Sequence, residues 1–89
     1  MGRQQLEIEV KALYKRIQSQ KSQRSDAWNT WNCKIKEQAA LEEKGSSVKE
    51  ITKEISSISG LISSLNYSIM GSQREYTEKC TLLIQYIVE

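Results

Sequence analysis

The chain has 89 residues, of which 38% are hydrophobic and 27% are charged, with no proline, phenylalanine or histidine. This length allows one small domain, and two helices side by side bury too little apolar surface to be very stable without another chain. The absence of histidine removes the commonest general base and the commonest metal ligand, and a formal net charge of +2 is too small to indicate nucleic acid by itself.

The first predicted helix spans about residues 4–44. Its apolar residues recur at spacings of three and four, stop for the nine polar residues of 18–26, and then resume. This stripe comprises Leu6, Val10, Leu13, Ile17, Ala27, Trp28, Trp31, Ile35, Ala39 and Leu41. We expect the helix to continue through the polar stretch. A break within 22–26, where a serine or aspartate could cap a new helix, would give three helices instead of two.

A turn at 45–47 follows, because Gly45 suits a helix C-terminal cap. Ser47 and Glu50 match the capping box that begins a helix, so the second helix is expected at about 47–88. Its apolar stripe comprises Val48, Ile51, Ile55, Ile58, Ile62, Leu65, Ile69, Tyr76, Cys80, Leu83 and Ile87. The predicted fold class is therefore all-α, a coiled-coil-like antiparallel two-helix hairpin that forms a single domain over 1–89.

Folding the chain at this turn pairs residues whose numbers sum to about 91. Trp31 then meets Ser59 and Gly60, where the indole can fill the space beside small side chains. In the middle of the hairpin, however, the polar residues 18–26 fall opposite 65–73, where the second helix carries large apolar residues. This register predicts a good fit at both ends and a mismatch at the centre.

Leu65, Ile69 and Met70 lie in this central segment and are expected to lack an apolar mate within the chain. Each would gain about 1.5–3 kcal/mol from full burial. We therefore predict that another chain docks here, with these three residues as anchors. The alternative is that the side-chain stems of Gln and Lys residues cover the patch.

Small residues recur at every fourth position of the second helix, within a stretch from Ile55 to Gln73 that contains no charge. They are Ser56, Gly60, Ser64, Ser68 and Ser72. Such a row lets two helices approach closely, so it is a candidate docking face for a partner helix. A solvated serine-rich back face is the alternative.

Five cations without an intervening acid form a basic run in the first helix. They are Lys11, Lys15, Arg16, Lys21 and Arg24. Only Tyr14 could supply base stacking among them, so we interpret the run as a solvated surface or one that faces an acidic partner. Nucleic-acid binding, which would follow a phosphate backbone along the run, is a minor alternative.

Cys33 and Cys80 form no Cys-x-x-Cys motif and fall far apart in the predicted hairpin. We interpret both as reduced small hydrophobic residues, with an intermolecular disulfide as the alternative.

The sequence contains no nucleophile paired with a base, no glycine-rich phosphate loop and no metal-ligand cluster. We therefore predict no enzymatic activity, no cofactor, no metal and no small-molecule substrate. No apolar run approaches the roughly 18–20 residues of a membrane span. The first residues also lack the apolar core of a signal peptide. The chain is expected to be soluble and cytoplasmic, and any export would use a route without a cleaved signal peptide.

Trp28 and Trp31 lie on a helix before a mid-chain turn, and in a chain of this length they resemble the small helical-hairpin proteins of type VII secretion. That group includes the Trp-Xaa-Gly proteins and short accessory proteins that pair with helical toxin segments. Here Trp28-Asn29-Thr30 and Trp31-Asn32-Cys33 lack the glycine, so no functional residue is carried over. The resemblance implies a targeting or chaperone-like role beside another helical protein.

We therefore expect a protein–protein interaction module that completes a helical bundle. Its partner would be another helical protein or a second copy of the chain, and a purely structural homo-oligomer is the alternative.

Overall fold

The computed structural model describes residues 2–88, with side chains over 2–86. Helix α1 spans Arg3–Glu43 and helix α2 spans Lys49–Val88. They pack side by side and antiparallel over their length, which confirms the predicted all-α hairpin. Residues 1 and 89 of the predicted domain, and the side chain of Ile87 in the predicted stripe, lie outside the described part.

Helix α1 is continuous through the polar stretch 18–26, so the alternative of a third helix is wrong. The backbone hydrogen bonds of a helix do not depend on apolar side chains, and apolar contacts hold α1 on both sides of the stretch. Ile17 and Ala27 are buried against α2 at its two ends. These contacts favour one unbroken helix over two helices with a new N-terminal cap within 22–26.

The turn is a Schellman motif built on Gly45, which agrees with the predicted glycine cap, although α1 ends at Glu43, one residue earlier than predicted. The backbone N–H of Ser46 donates to the carbonyl of Leu41, and that of Gly45 donates to the carbonyl of Glu42, both at 3.0 Å. Gly45 has φ +72°, a left-handed conformation in which a side chain is strained.

Helix α2 begins at Lys49, two residues later than predicted. The hydroxyl of Ser47 accepts a 3.4 Å hydrogen bond from the backbone N–H of Lys49, rather than from Glu50 as a capping box would require. The first intrahelical bond runs from the Thr52 N–H to the Val48 carbonyl. The Schellman turn occupies 44–46, so the chain needs two further residues before it enters the second helix.

Residues that meet across the hairpin have numbers that sum to 88–90, close to the predicted value. The Trp31 indole N–H donates to the Ser59 hydroxyl at 3.2 Å, as the register predicts. Lys79 and Glu9 meet near the open end of the hairpin. The hairpin is a rod of 69 × 15 × 14 Å, and its core is a single row of apolar side chains. The buried members are Leu6, Leu13, Ile17, Ala27, Ile51, Ile62 and Ile69.

Over its described residues, neither helix contains a stretch apolar enough to cross a membrane.

Candidate functional site

The centre of the hairpin is better filled than the sequence suggests. Ile69 is only 2% exposed, so the expectation that it lacks a mate within the chain is wrong. Opposite it at the observed register lie Gln20 and Lys21, both partly buried. Their partial burial agrees with the alternative interpretation, in which the aliphatic stems of Gln and Lys residues cover apolar surface. Ile69 therefore belongs to the core of the hairpin.

The other two predicted anchors have different surroundings. Leu65 is partly buried, and Met70 is 62% exposed. Successive residues of an α-helix are 100° apart, so Ile69 and Met70 cannot both face α1. The three anchors thus do not form one patch.

The row of small residues winds around α2 instead of staying on one face. A step of four residues turns by 400°, so each member is displaced by 40° from the one before. Ser56, Gly60, Ser64 and Ser68 are exposed, whereas Ser72 is 7% exposed and packs toward α1. The prediction that Ser72 belongs to an open docking face is therefore wrong.

A continuous exposed face does run along α2 on the side away from α1. Its members follow spacings of three and four and none is charged. They are Ser57, Gly60, Leu61, Ser64, Tyr67, Ser68 and Gly71. We call this set the outer face of α2. Three of the residues predicted from the small-residue row belong to it.

Two large side chains stand out on the outer face. Leu61 is 52% exposed and Tyr67 is 82% exposed. A Cβ atom added to Gly60 or Gly71 would meet nothing within 4 Å. Packing inside the hairpin therefore gives no reason for these glycines, although each destabilises a helix by about 1 kcal/mol relative to alanine.

A groove of about 390 Å³ lies between the helices beside the outer face. Leu61 and Leu65 form its α2 wall, and Ala27 and Thr30 contribute to its α1 wall. Leu61 belongs to both the groove and the outer face, so the two form one continuous surface. Sequence reasoning missed Leu61; the signal that could have found it is an apolar residue outside the three-four stripe of α2.

A second groove of about 270 Å³ lies on the opposite side of Ile62. Its α1 wall is formed by Trp28 and Trp31, whose rings meet edge to face at a centroid distance of 5.5 Å. Ser59 and Asn66 line the α2 wall. The tryptophans noted in the sequence therefore pack on each other and on α2, with Trp28 still 45% exposed.

Two ion pairs connect the helices near opposite ends of the hairpin. Lys79 Nζ lies 3.0 Å from Glu9 Oε2, and the hydrogen bond from Lys79 lowers the pKa of the Glu9 carboxyl. Lys34 Nζ lies 3.0 Å from Glu54 Oε2 and 3.4 Å from Glu37 Oε2. The pKa of the Lys34 ammonium is raised. The hydrogen bond to Glu54 is the largest cause, and the bond to Glu37 is the next. Both pairs join α1 to α2 and agree with the register of the hairpin.

The cations of the basic run do not share one face of α1. At 100° per residue they point around the whole helix. The Arg24 guanidinium crosses to α2 and donates to Asn66 Oδ1 at 3.0 Å. Lys21 is partly buried, whereas Lys11, Lys15 and Arg16 are exposed. A phosphate backbone could follow only part of this run, so the geometry favours the solvated interpretation.

Cys33 and Cys80 are both free thiols. The side chain of Tyr76 hydrogen-bonds the Cys80 thiol, and this contact raises the pKa of the Tyr76 hydroxyl. The Tyr14 ring lies 6.3 Å from the Tyr76 ring. Within the described part of the chain, no group of three or more Cys, Asp and Glu residues is placed to hold a metal ion.

No model of a known protein family matches this sequence, and comparisons with curated proteins and with solved structures also find no significant match. The class of protein is therefore defined by the fold alone, as an antiparallel helical hairpin with an uncharged exposed face.

Proposed function

We propose that this protein is a non-enzymatic interaction module whose hairpin packs against helices of a partner chain and completes a helical bundle. The binding surface in this proposal is the outer face of α2 together with the groove beside Leu61 and Leu65.

The observation that carries the proposal is the large surface that the hairpin leaves exposed. Its accessible surface is 6651 Å², whereas a compact monomer of 10.2 kDa would expose about 5,300 Å². The excess of about 1,300 Å² is larger than the roughly 800 Å² that each partner buries in a standard interface. A second pair of helices would cover this surface.

The exposed apolar side chains indicate where such helices would pack. Full burial of either side chain, Leu61 or Tyr67, would stabilise the complex by about 1.5–3 kcal/mol. That is a large share of the stability of a small domain, which rarely exceeds about 3–5 kcal/mol when it has a single core. The outer face also carries no charge that would have to be desolvated.

A client of different sequence would make the module a targeting or chaperone-like adaptor, which is what the type VII secretion resemblance implies. A second copy of the chain would make it a structural homo-oligomer. Both forms use the same exposed surface.

Photo-crosslinking in the source cells tests the proposal. A benzophenone amino acid at Leu61 should yield a crosslinked product of discrete mass, whereas the same probe at Ser22, an exposed position on α1, should not. In parallel, the purified chain, at a concentration at which it sediments as a monomer, should unfold below the range of about 45–65 °C typical of independent domains. The proposal is wrong if position 61 yields no specific product and the isolated monomer is as stable as an independent domain.

A further inference from the structure

We propose that the outer face of α2 binds a second copy of this chain in an antiparallel orientation, with a twofold axis that passes beside Ser64. This inference rests on the proposed function, because it names the helices that the module binds.

Charge complementarity is the first argument. The uncharged stretch 55–73 is bounded by Lys53-Glu54 on one side and by Arg74-Glu75 on the other. In an antiparallel pair centred on Ser64, Lys53 faces Glu75 of the second copy at each end of the uncharged stretch. A parallel pair in register would place each charge beside its own equivalent. The pattern therefore favours the antiparallel, self-complementary arrangement.

Lys53 and Glu75 are free to make this contact. Both are exposed, and neither forms an ion pair with any residue that the structure describes. Lys53 lies seven residues from Gly60, and Glu75 lies seven residues from Ser68, so both continue the outer face at its ends. The segment between them is about 33 Å long.

The same twofold axis brings the outer face of one copy into contact with the outer face of the second copy. Gly60 lies opposite Ser68 of the second copy, and Ser57 lies opposite its Gly71. Small side chains at these positions allow the two α2 helices to approach closely. The open space beside both glycines lies on this side of α2.

The two large side chains of the outer face lie on opposite flanks of Ser64, because three residues turn the helix by 300°. In the antiparallel pair Leu61 lies beside Ser68 of the second copy and Tyr67 lies beside its Gly60, so each large side chain packs against a small residue. These contacts would bury the two most prominent side chains of the face, which are 52% and 82% exposed in the hairpin. Tyrosine is a typical interface anchor.

Area and net charge are compatible with a second copy. The surplus surface of about 1,300 Å² per chain exceeds the roughly 800 Å² per partner of a standard interface. Repulsion between the basic runs is weak in this arrangement, because both α2 helices lie between the two α1 helices. More than two helix spacings of about 8–10 Å separate the α1 axes, which is beyond the Debye length of about 8 Å at physiological salt.

Sedimentation velocity of the full chain is the first test. The expected result is a reversible species of twice 10.2 kDa in the micromolar range. Ser64→Arg places two like charges together at the axis and should weaken the dimer about 100-fold or more. Its helicity in circular dichroism should be unchanged, since Ser64 is exposed. Ser63→Arg is the matched control, because this exposed neighbour points 100° away and should leave the dimer intact.

Charge exchange tests the register. Lys53→Glu places two pairs of like charges at the ends of the interface and should weaken the dimer roughly tenfold. Adding Glu75→Lys to the same chain restores opposite charges and should recover most of the affinity. Equal weakening in the double variant would contradict the antiparallel register.

Disulfide trapping locates the axis directly. In a chain with Cys33→Ser and Cys80→Ser, Ser64→Cys should form an intermolecular disulfide under mild oxidation. Ser57→Cys should do so poorly, because its counterpart is Gly71. Equal trapping at both positions would place the axis elsewhere and overturn the proposal.

One further result distinguishes a failure of self-association from a failure of the proposed function. A chain that stays monomeric up to about 0.5 mM, where an interface of standard size associates, overturns self-association. If that monomer is unstable alone and crosslinks through position 61 in cells, the interaction module stands with a different partner. If it is as stable as an independent domain and yields no crosslink, both proposals fail.

Discussion

Ile69 and Met70 are adjacent in the sequence and opposite in environment. Ile69 packs against α1 with 2% of its surface exposed, whereas Met70 is 62% exposed. The α-helix turns by 100° per residue, so Ile69 points toward α1 whereas Met70 points toward solvent.

Alanine at each position should measure that difference. Ile69→Ala should lower the free energy of unfolding by about 2–5 kcal/mol, because it opens a cavity in the core. Met70→Ala should change it by less than about 0.5 kcal/mol. Urea denaturation at one fixed protein concentration makes the comparison. Similar losses for both variants would mean that Ile69 does not lie in the core.

Glu9 links the stability of the hairpin to pH. Its carboxyl has a lowered pKa because Lys79 donates a hydrogen bond to it. A lowered pKa in the folded state stabilises the protein above the unfolded value of about 4.5, and this contribution disappears as the pH falls through the lowered pKa.

The expected result is a loss of stability below about pH 4.5 that Glu9→Gln reduces. Thermal melts between pH 2 and pH 7 would measure it, and Glu7→Gln is the control on the same helix. Glu7 pairs with Arg3 four residues earlier and does not cross to α2. Identical acid transitions for the two variants would show that the cross-helix bond contributes nothing.

At the scale of the helices, α1 shows that a polar segment can remain helical when its two ends are held. The stretch 18–26 has little to bury, yet α1 runs unbroken from Arg3 to Glu43. Ile17 and Ala27 anchor it, and Arg24 bonds α2 from within it.

Proline in this stretch should therefore be severely destabilising. Ser22→Pro removes a helix hydrogen bond and clashes with the preceding turn, so it should lower the free energy of unfolding by about 3 kcal/mol or more. Ser22→Ala, at the same exposed position, should be neutral or slightly stabilising. Circular dichroism melts make the measurement. A proline variant with unchanged helicity would indicate that α1 has a natural break there.

For the whole molecule, the shape determines what the protein can do. A compact chain of 89 residues would have a radius of gyration of about 12 Å, whereas the hairpin has 19.9 Å. A rod one side chain deep has long exposed sides, so association along its length would bury more apolar surface.

Small-angle X-ray scattering should give a radius of gyration close to 20 Å for whichever form of the chain sediments as a monomer, plus a small contribution from hydration. Ser64→Arg supplies that form if the chain dimerises as proposed. A value near 12 Å would mean that the helices fold into a shorter and more compact arrangement than the hairpin.

The sequence alone determined the elements of this fold and their alignment. Three-four spacing, the glycine at position 45 and the absence of proline are local signals, and they predicted two helices, the turn and the pairing of Trp31 with Ser59. Backbone hydrogen bonding and side-chain period act over a few residues, so one sequence is enough to infer them.

The tertiary structure decided which apolar residues remain available. Ile69 and Ser72 proved to face α1, while Leu61 and Tyr67 proved to lie open. This outcome depends on the rotation of α2 about its axis and on how far the stems of Gln20 and Lys21 reach across the gap. Both are properties of two helices in contact, and a pattern within one helix does not contain them.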